Sequence, residues 1–360
     1  MQGKDRAMSD EVILDRAGSA AVIRLNRPKA LNSINLPMVR TIRHALEQYR
    51  DDPSIGAVIL RGEGERGLCA GGDIRVLYDL GKAGDPEVTR FWREEFPLNY
   101  TISHYPKPYV ALMDGITMGG GVGLSAHGRH RVVTERTRLA MPETGIGYFP
   151  DVGATWLLPK APGEVGTWMA LTGQEVDGAG AIYAGLADAF LPSERLDALV
   201  DAIGALGGEA GNGKVDDTIA SFAVPPAESV LEKNRQLIDR CFGFDGVEDI
   251  LAALAAEEGD FAATTREAML KRSPTSLKLS LRLLRAGRQS SGLVECLERE
   301  FGAGVEILRH HDFYEGVRAA IIDKDRNPRW LPAGLSDVTA ESIERYLQGK
   351  HGGLFPDHRL

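Results

Sequence analysis

Two glycine-rich turns, CAGGDI at 69–74 and GITMGGGVG at 115–123, constrain the fold of this chain more than any other feature. Each follows a short apolar run typical of a strand, and each leads into a segment with helical periodicity. Further strands are predicted within 11–26, in IGAVILRG and in KPYVALMDG, with helices between them. This alternation of strands and helices predicts an α/β fold.

The chain changes in character along its 360 residues. Strand-strand-helix units recur in the first half, whereas almost everything after 224–226 has the spacing of helices, as in SPTSLKLSLRLLRAG. We therefore predict an α/β core over 11–225 and a helical region over 226–345. GGEAGNGKVDD, at 207–217, is predicted to be a loop. The ends, 1–10 and 349–360, are expected to be flexible.

The overall charge excludes one class of function. The net charge is -9 and the pI about 5.5, which argues against general nucleic-acid binding.

Because apolar runs are short, we expect no membrane-spanning helix. Three widely spaced cysteines, Cys69, Cys241 and Cys296, indicate a reducing compartment. The acidic N-terminal segment is unlike a transit peptide, so we expect a cytoplasmic protein, with the mitochondrial matrix as the alternative.

Three motif-like stretches are discounted. GEGERG at 62–67 matches a dinucleotide fingerprint, but its two glutamates would face a pyrophosphate, which leaves a nicotinamide oxidoreductase as a remote alternative. GEAGNGKV at 208–215 has valine where a P-loop needs serine or threonine. GLSAH at 123–127 has histidine in place of the second glycine of a hydrolase elbow. His310-His311 and His127/His130 lack the set of carboxylates or cysteines typical of a metal site, so no metal site is expected.

The two glycine-rich turns could together form a binding site if they lie side by side. Backbone N–H groups exposed at such turns attract negative charge, and two of them directed at one oxygen form an oxyanion hole. The alternative is that these glycines only permit tight packing.

The segment MPETGIGYFPDV, at 141–152, places Glu143 and Asp151 among small, apolar and aromatic residues with no other charge. Burial and a second carboxylate nearby both raise a carboxyl pKa, which suits proton handling. The structural alternative is that Glu143 caps a helix or pairs with an arginine, and that Asp151 caps a turn.

The motifs resemble the crotonase (enoyl-CoA hydratase/isomerase) superfamily over about 11–340. The stretches that carry the resemblance are CAGGDI, HYPKPYVALMDGITMGGGVGLSAHG, MPETGIGYFPDVGATWLLP and SPTSLKLSLRLL. FWREEFPLN and HDFYEGVRAAIIDKDRNPRW are similar to a branch of acyl-CoA thioester hydrolases. The resemblance implies a crotonase-like spiral of strand-strand-helix units, with a helical C-terminal region that closes over the site.

The resemblance also implies an activity and its residues. The expected reaction is hydrolysis of a short-chain 3-hydroxyacyl-CoA thioester, with the 3-hydroxyisobutyryl ester as substrate, in valine breakdown. Gly72 and Gly120 would form the oxyanion hole, Glu143 and Asp151 would be the catalytic acids, and Glu95 would contact the substrate. Coenzyme A would be part of the substrate, with no further cofactor and no metal. A homo-oligomer is possible.

One position departs from the hydratase pattern within this superfamily. Hydratases carry a glutamate just after the second glycine turn, where this chain has Gly123. We therefore expect hydrolysis to be favoured over hydration or isomerisation of an enoyl-CoA. A non-catalytic acyl-CoA-binding protein is the other alternative.

Coenzyme A carries phosphates, although the chain as a whole is acidic. A local basic patch is therefore expected near the mouth of the pocket. The candidates flank the two early loops and are Arg27, Lys29, Arg66 and Arg75.

Overall fold

The computed structural model describes residues 10–348 and 353–355 of the chain. Within them, the strands are β1 (Val12–Ala17), β2 (Ala20–Leu25), β3 (Ala57–Gly62), β4 (Gly67–Cys69), β5 (Tyr109–Met113), β6 (Ile116–Met118), β7 (His130–Val133), β8 (Arg138–Ala140) and β9 (Ala189–Phe190). The two strands predicted within 11–26 are confirmed, and they form an antiparallel hairpin.

The strands form two sheets. The larger has the order β1-β2-β3-β5-β7-β9 and is parallel beyond the first hairpin, and the smaller is the parallel set β4-β6-β8. β3, β5 and β7 of the larger sheet are each followed by one strand of the smaller sheet. A sharp turn makes this possible at Gly115, whose φ of +77° favours glycine. The predicted strand-strand-helix repeat is confirmed.

Helices occur on both sides of residue 226, and after it they are the main kind of regular structure. Those before residue 226 are α1 (Leu36–Asp51), α2 (Ile74–Ala83), α3 (Arg90–Ser103), α4 (Gly120–Ser125), α5 (Ala154–Leu157), α6 (Val165–Thr172), α7 (Gly178–Tyr183), α8 (Leu196–Gly204) and α9 (Gly211–Phe222). Those after it are α10 (Val230–Lys233), α11 (Arg235–Phe242), α12 (Val247–Ala256), α13 (Asp260–Leu270), α14 (Pro274–Gly287), α15 (Leu293–Ile307), α16 (His311–Val317) and α17 (Ala340–Leu347).

The larger sheet is buried on both faces, as the near-continuous apolar strands require. In β2, Ile23 points into the main core, whereas Val22 belongs to a second cluster on the opposite face. Helices α8 and α9 cover that second face, with Ile203 and Val215 among the buried residues.

Helix α9 corrects the prediction of a loop over 207–217, because 211–217 are helical. Two glycines and a lysine hide the apolar spacing of Val215 and Ile219, which lie four residues apart and are both buried. Burial of this apolar pair against the sheet offsets the low helix propensity of the glycines.

The C-terminal helices share the main core with the α/β part. Helix α15 contacts α3 and α5, and its Phe301 belongs to the same apolar cluster as Ile23 of β2. The Ser273 hydroxyl oxygen caps helix α14, since it accepts from the N–H of Ser276 at 3.0 Å. The division at 225/226 stays a prediction.

The predicted flexible ends, 1–10 and 349–360, lie outside the described residues apart from residue 10 and 353–355. There, the N–H groups of Leu354 and Phe355 both donate to Glu298 Oε1. Across the described ranges, no helix is long and apolar enough to cross a membrane.

Candidate active site

The two glycine turns meet at one edge of the smaller sheet. They follow β4 and β6, which are parallel neighbours, so their carboxyl ends lie together. A Cβ on Gly120 would lie 3.3 Å from the nitrogen of Gly72, and one on Gly71 would lie 3.6 Å from the nitrogen of Gly120. Neither the Gly72 nor the Gly120 N–H donates to an acceptor within 10–348 and 353–355.

Glu143 comes from the turn after β8, the third strand of the same sheet. It opens a 3₁₀ turn, Glu143–Ile146, and its Oε1 lies 2.9 Å from where a Cβ on Gly119 would be. Its Oε2 is buried and has no hydrogen-bond partner among the residues that the structure describes. Glu143 makes no side-chain cap and no ion pair within the described part of the chain, so the structural alternative is wrong for this residue.

Glu95 projects from α3, one of the helices that lie between β4 and β5 in the chain. Its neighbour Glu94 points outward and pairs with Arg40 at 2.5 Å, which lowers the pKa of Glu94. Glu95 is 2% exposed, and its Oε1 lies 2.8 Å from where a Cβ on Gly120 would be. Consecutive helical residues face different directions, which explains how adjacent glutamates have opposite environments.

Asp151 lies in the turn that connects Pro150 to α5, and it is also buried. Burial raises the pKa of Asp151 well above its ordinary value, and the carboxylate of Glu300 raises it further. Burial is also the largest cause of the raised pKa values of Glu95 and Glu143, and in both the charge of Asp151 adds to it. The two acids of MPETGIGYFPDV are thus brought together as predicted.

These residues line one cavity of about 200 Å³. Its wall includes stacked aromatic rings, with the Trp92 and Tyr148 centroids 5.7 Å apart. The cavity is lined by all five residues predicted for the site, which are Gly72, Glu95, Gly120, Glu143 and Asp151. A more open groove of about 570 Å³, lined by residues such as Asp188 and Ile219, contains none of them.

Glu300 is a further buried acid that sequence reasoning missed. It lies on α15 with no exposed surface, and burial raises its pKa to about 7. A signal existed, because Glu300 falls on the same helical stripe as Leu297 and Phe301, which are core residues. An acid on an apolar stripe is either paired or functional.

Glu300 gives a prediction for stability. A carboxyl whose pKa is higher in the folded than in the unfolded protein stabilises the fold fully below its ordinary pKa of 4.5, and loses that contribution as pH rises through about 7. Relative to Glu300→Gln, the free energy of unfolding of the wild type should fall by roughly 3 kcal/mol across this window. Urea unfolding of both proteins from pH 5 to 8 measures it. A difference that stays constant with pH would contradict this.

Comparison with known proteins places the chain in a class. It matches the enoyl-CoA hydratase/isomerase family model over residues 20–347, and it belongs to this family, the crotonase superfamily. Among its relatives is 3-hydroxyisobutyryl-CoA hydrolase, mitochondrial. The Gallus gallus protein of that name is 42% identical over 339 residues, which cover 93% of this chain and 88% of the relative. The Xenopus tropicalis protein is 44% identical over 341 residues, covering 94% and 88%.

A solved structure shows the same fold. The chain is similar to a carnitinyl-CoA dehydratase from Mycobacterium thermoresistibile, with a TM-score of 0.91 and 42% identity over 97% of this chain and 100% of that one. The predicted crotonase-like fold with a helical C-terminal region is therefore confirmed.

Proposed function

We propose that this chain hydrolyses 3-hydroxyisobutyryl-CoA to 3-hydroxyisobutyrate and coenzyme A, as a step of valine breakdown. The relatives' names support the reaction. One observation carries the proposal: a single cavity is lined by the Gly72 and Gly120 N–H groups and by the buried carboxylate of Glu143. Among the described residues, neither N–H has an acceptor and Glu143 Oε2 has no donor. No metal or further cofactor takes part in this proposal.

The thioester carbonyl oxygen binds between the N–H groups of Gly72 and Gly120. Attack on the carbonyl carbon turns that oxygen into an oxyanion, which both N–H groups stabilise. One preorganised donor of this kind contributes about 3 to 4 kcal/mol to lowering the barrier. The buried surroundings of the site strengthen this effect because little water competes.

Glu143 supplies the second requirement, a nucleophile at the carbonyl carbon. Two routes fit its position: direct attack that forms a mixed anhydride, which water then opens, or general-base activation of a water molecule. Its raised pKa makes its carboxylate a stronger base in either route. A single turnover in H₂¹⁸O bears on this choice. Label on Glu143 identifies the anhydride route with water attack at the glutamyl carbonyl, whereas label in the product alone fits general-base activation or water attack at the acyl carbonyl of the anhydride.

Asp151 and Glu95 complete the polar lining of the cavity. Burial raises the pKa values of both carboxyl groups, which favours their protonated form. A protonated carboxyl donates a hydrogen bond, which suits Asp151 to the 3-hydroxyl group of the substrate or to the attacking water. Glu95 borders Gly120 and would contact the acyl group.

Hydration of an enoyl-CoA is disfavoured at Gly123, where hydratases of the superfamily have a second glutamate. A Cβ there would lie 2.7 Å from Val152 Cβ and 3.0 Å from Asn99 Nδ2. The space for a second acid is therefore filled by these two side chains.

Product analysis tests the proposal. The protein is incubated with 3-hydroxyisobutyryl-CoA, and the products are identified by mass spectrometry. Hydrolysis gives free coenzyme A and 3-hydroxyisobutyrate in equal amounts. A thioester lighter by one water would instead identify a dehydratase, the activity for which the Mycobacterium thermoresistibile protein is named. No change in the substrate would favour a non-catalytic acyl-CoA-binding protein.

Binding of the coenzyme A phosphates gives a further prediction. Of the four candidates, Arg27 already pairs with Asp73 and Glu11, whereas Lys29, Arg66 and Arg75 are exposed. Charge reversal to glutamate at a contacting residue among these three should raise KM severalfold with little change in kcat, because it weakens ground and transition states alike. Steady-state kinetics at low salt measures this. Three reversals without effect would place the patch elsewhere.

We also propose that the protein works in a reducing compartment, either the cytoplasm or the mitochondrial matrix. The relatives are named mitochondrial, which agrees with the second of the two compartments predicted from the sequence. Cytoplasm and mitochondrial matrix are both reducing, and all three cysteines are buried and unbridged. A homo-oligomer stays a prediction.

A further inference from the structure

The turn after Asp151 contains an unusual backbone conformation. Val152 has a φ of +54°, a region that β-branched residues rarely occupy. Such strain persists only where the surroundings hold the backbone in place, and it concentrates at functional sites. Val152 lines the cavity and directly follows Asp151.

Two buried side chains hold the peptide unit that follows this residue. The Val152 carbonyl oxygen lies 2.7 Å from His127 Nε2, and the N–H of Gly153 donates to Glu300 Oε2, also at 2.7 Å. These are the two ends of one peptide group. Because a carbonyl only accepts, the imidazole must carry its proton on Nε2.

Each side chain is itself fixed. The second oxygen of Glu300, Oε1, accepts from the N–H of Thr155 at 3.0 Å and from its hydroxyl at 2.6 Å. The His127 ring packs against Gly153, where a Cβ would lie 2.7 Å from Nε2. Burial lowers the pKa of His127 to about 4, so the ring stays neutral near pH 7.

We infer that His127 and Glu300 are positioning residues, which together clamp the Val152–Gly153 peptide and so fix the direction in which Asp151 enters the cavity. The Asp151 carbonyl oxygen accepts from the N–H of Ala154 at 2.8 Å, within the same turn. Release of the Val152–Gly153 peptide would therefore loosen this turn and let Asp151, one residue away, shift. The inference rests on the proposed function, because it concerns the use of Asp151 in that reaction. His127 and Glu300 touch the turn rather than the substrate.

The test is a double-mutant cycle between Glu300→Gln and Asp151→Asn, followed by thiol release. A glutamine side chain has one oxygen, so it can accept from only one of the two N–H groups that now donate to Glu300. Its NH₂ group would then face the other N–H group, which is also a donor. We expect Glu300→Gln alone to lower kcat at least about 10-fold, since a misplacement of about 1 Å costs up to about 10²-fold, with KM within about threefold. When Glu300→Gln is introduced into the Asp151→Asn protein, it should lower the remaining kcat less than about threefold.

Glu164→Gln is the matched control. Glu164 is also a largely buried carboxylate, which pairs with Arg285 and Arg288 outside the cavity. Its effects on stability and activity should be independent of Asp151. A loss of kcat in Glu300→Gln that is equally large with and without Asp151, or a loss of stability with kcat unchanged, would overturn the clamp.

His127 provides a second pair of variants should Glu300→Gln not fold. His127→Gln can place a donor N–H near the position of Nε2, whereas His127→Leu cannot donate. We expect the glutamine variant to retain more kcat than the leucine variant, and equal losses in both would overturn the inference.

A measurement without substrate separates this inference from the proposed function. In a TROSY spectrum the Gly153 amide proton should be shifted downfield by its bond to the Glu300 carboxylate. It should move upfield in both Glu300→Gln and His127→Leu. If the wild type releases no thiol, the proposed function fails, while these shifts still test the clamp. A Gly153 amide that is unmoved in both variants would contradict it.

Discussion

Glu143→Gln is expected to lower kcat for thiol release by about 10³-fold, because the amide can neither attack the thioester nor accept a proton from water. KM should change little, since the amide fills the same volume. The fold should survive, because the replaced carboxylate is buried with one oxygen unpaired and has a raised pKa. Removing a charge from such a place is neutral or stabilising.

Glu164→Gln is the control for this prediction. We would compare the kcat and the thermal stability of both variants with those of the wild type. The Glu164 variant loses ion pairs to Arg285 and Arg288 and should be less stable, yet its kcat should match the wild type. If Glu143→Gln retained more than about a tenth of wild-type kcat, Glu143 would be neither nucleophile nor base.

Gly120→Ala is the second large effect that we expect. The new Cβ would lie 3.3 Å from the Gly72 nitrogen and 2.8 Å from Glu95 Oε1, so it enters the space between the two N–H groups. Disrupting one donor of an oxyanion hole costs about 10² to 10³ in kcat.

Gly213→Ala is the control for this substitution. A Cβ at Gly213, on α9, would meet nothing within 4 Å, so kcat should not change, and an alanine in a helix raises stability slightly. A Gly120→Ala protein with kcat within about threefold of the wild type would mean that these two N–H groups do not bind the developing oxyanion.

The sequence predicts those parts of the site whose signal lies within one short segment of the chain. The turns with Gly72 and Gly120 follow predicted strands, and neighbouring parallel strands end at one edge, so their meeting follows from the α/β pattern. Glu143 and Asp151 stand out because charge is otherwise missing from their segment. Each of these signals lies within about ten residues of sequence.

Glu300 and His127 show what the sequence does not predict. They lie 147 and 25 residues from their hydrogen-bond partners in the Asp151 turn. Only the tertiary packing of α15 brings Glu300 to that turn. Helix α9 was missed for a related reason, because its stability comes from covering the sheet rather than from its own glycine-rich sequence.

We propose that this site breaks a thioester rather than adding water to a double bond. The most direct test measures thiol release from 3-hydroxyisobutyryl-CoA and loss of enoyl absorbance from crotonyl-CoA on one preparation. We predict fast thiol release with little hydration, and loss of the thiol signal in Glu143→Gln. Clear loss of the enoyl absorbance without thiol release would contradict the account, and would mean that another group replaces the acid missing at Gly123.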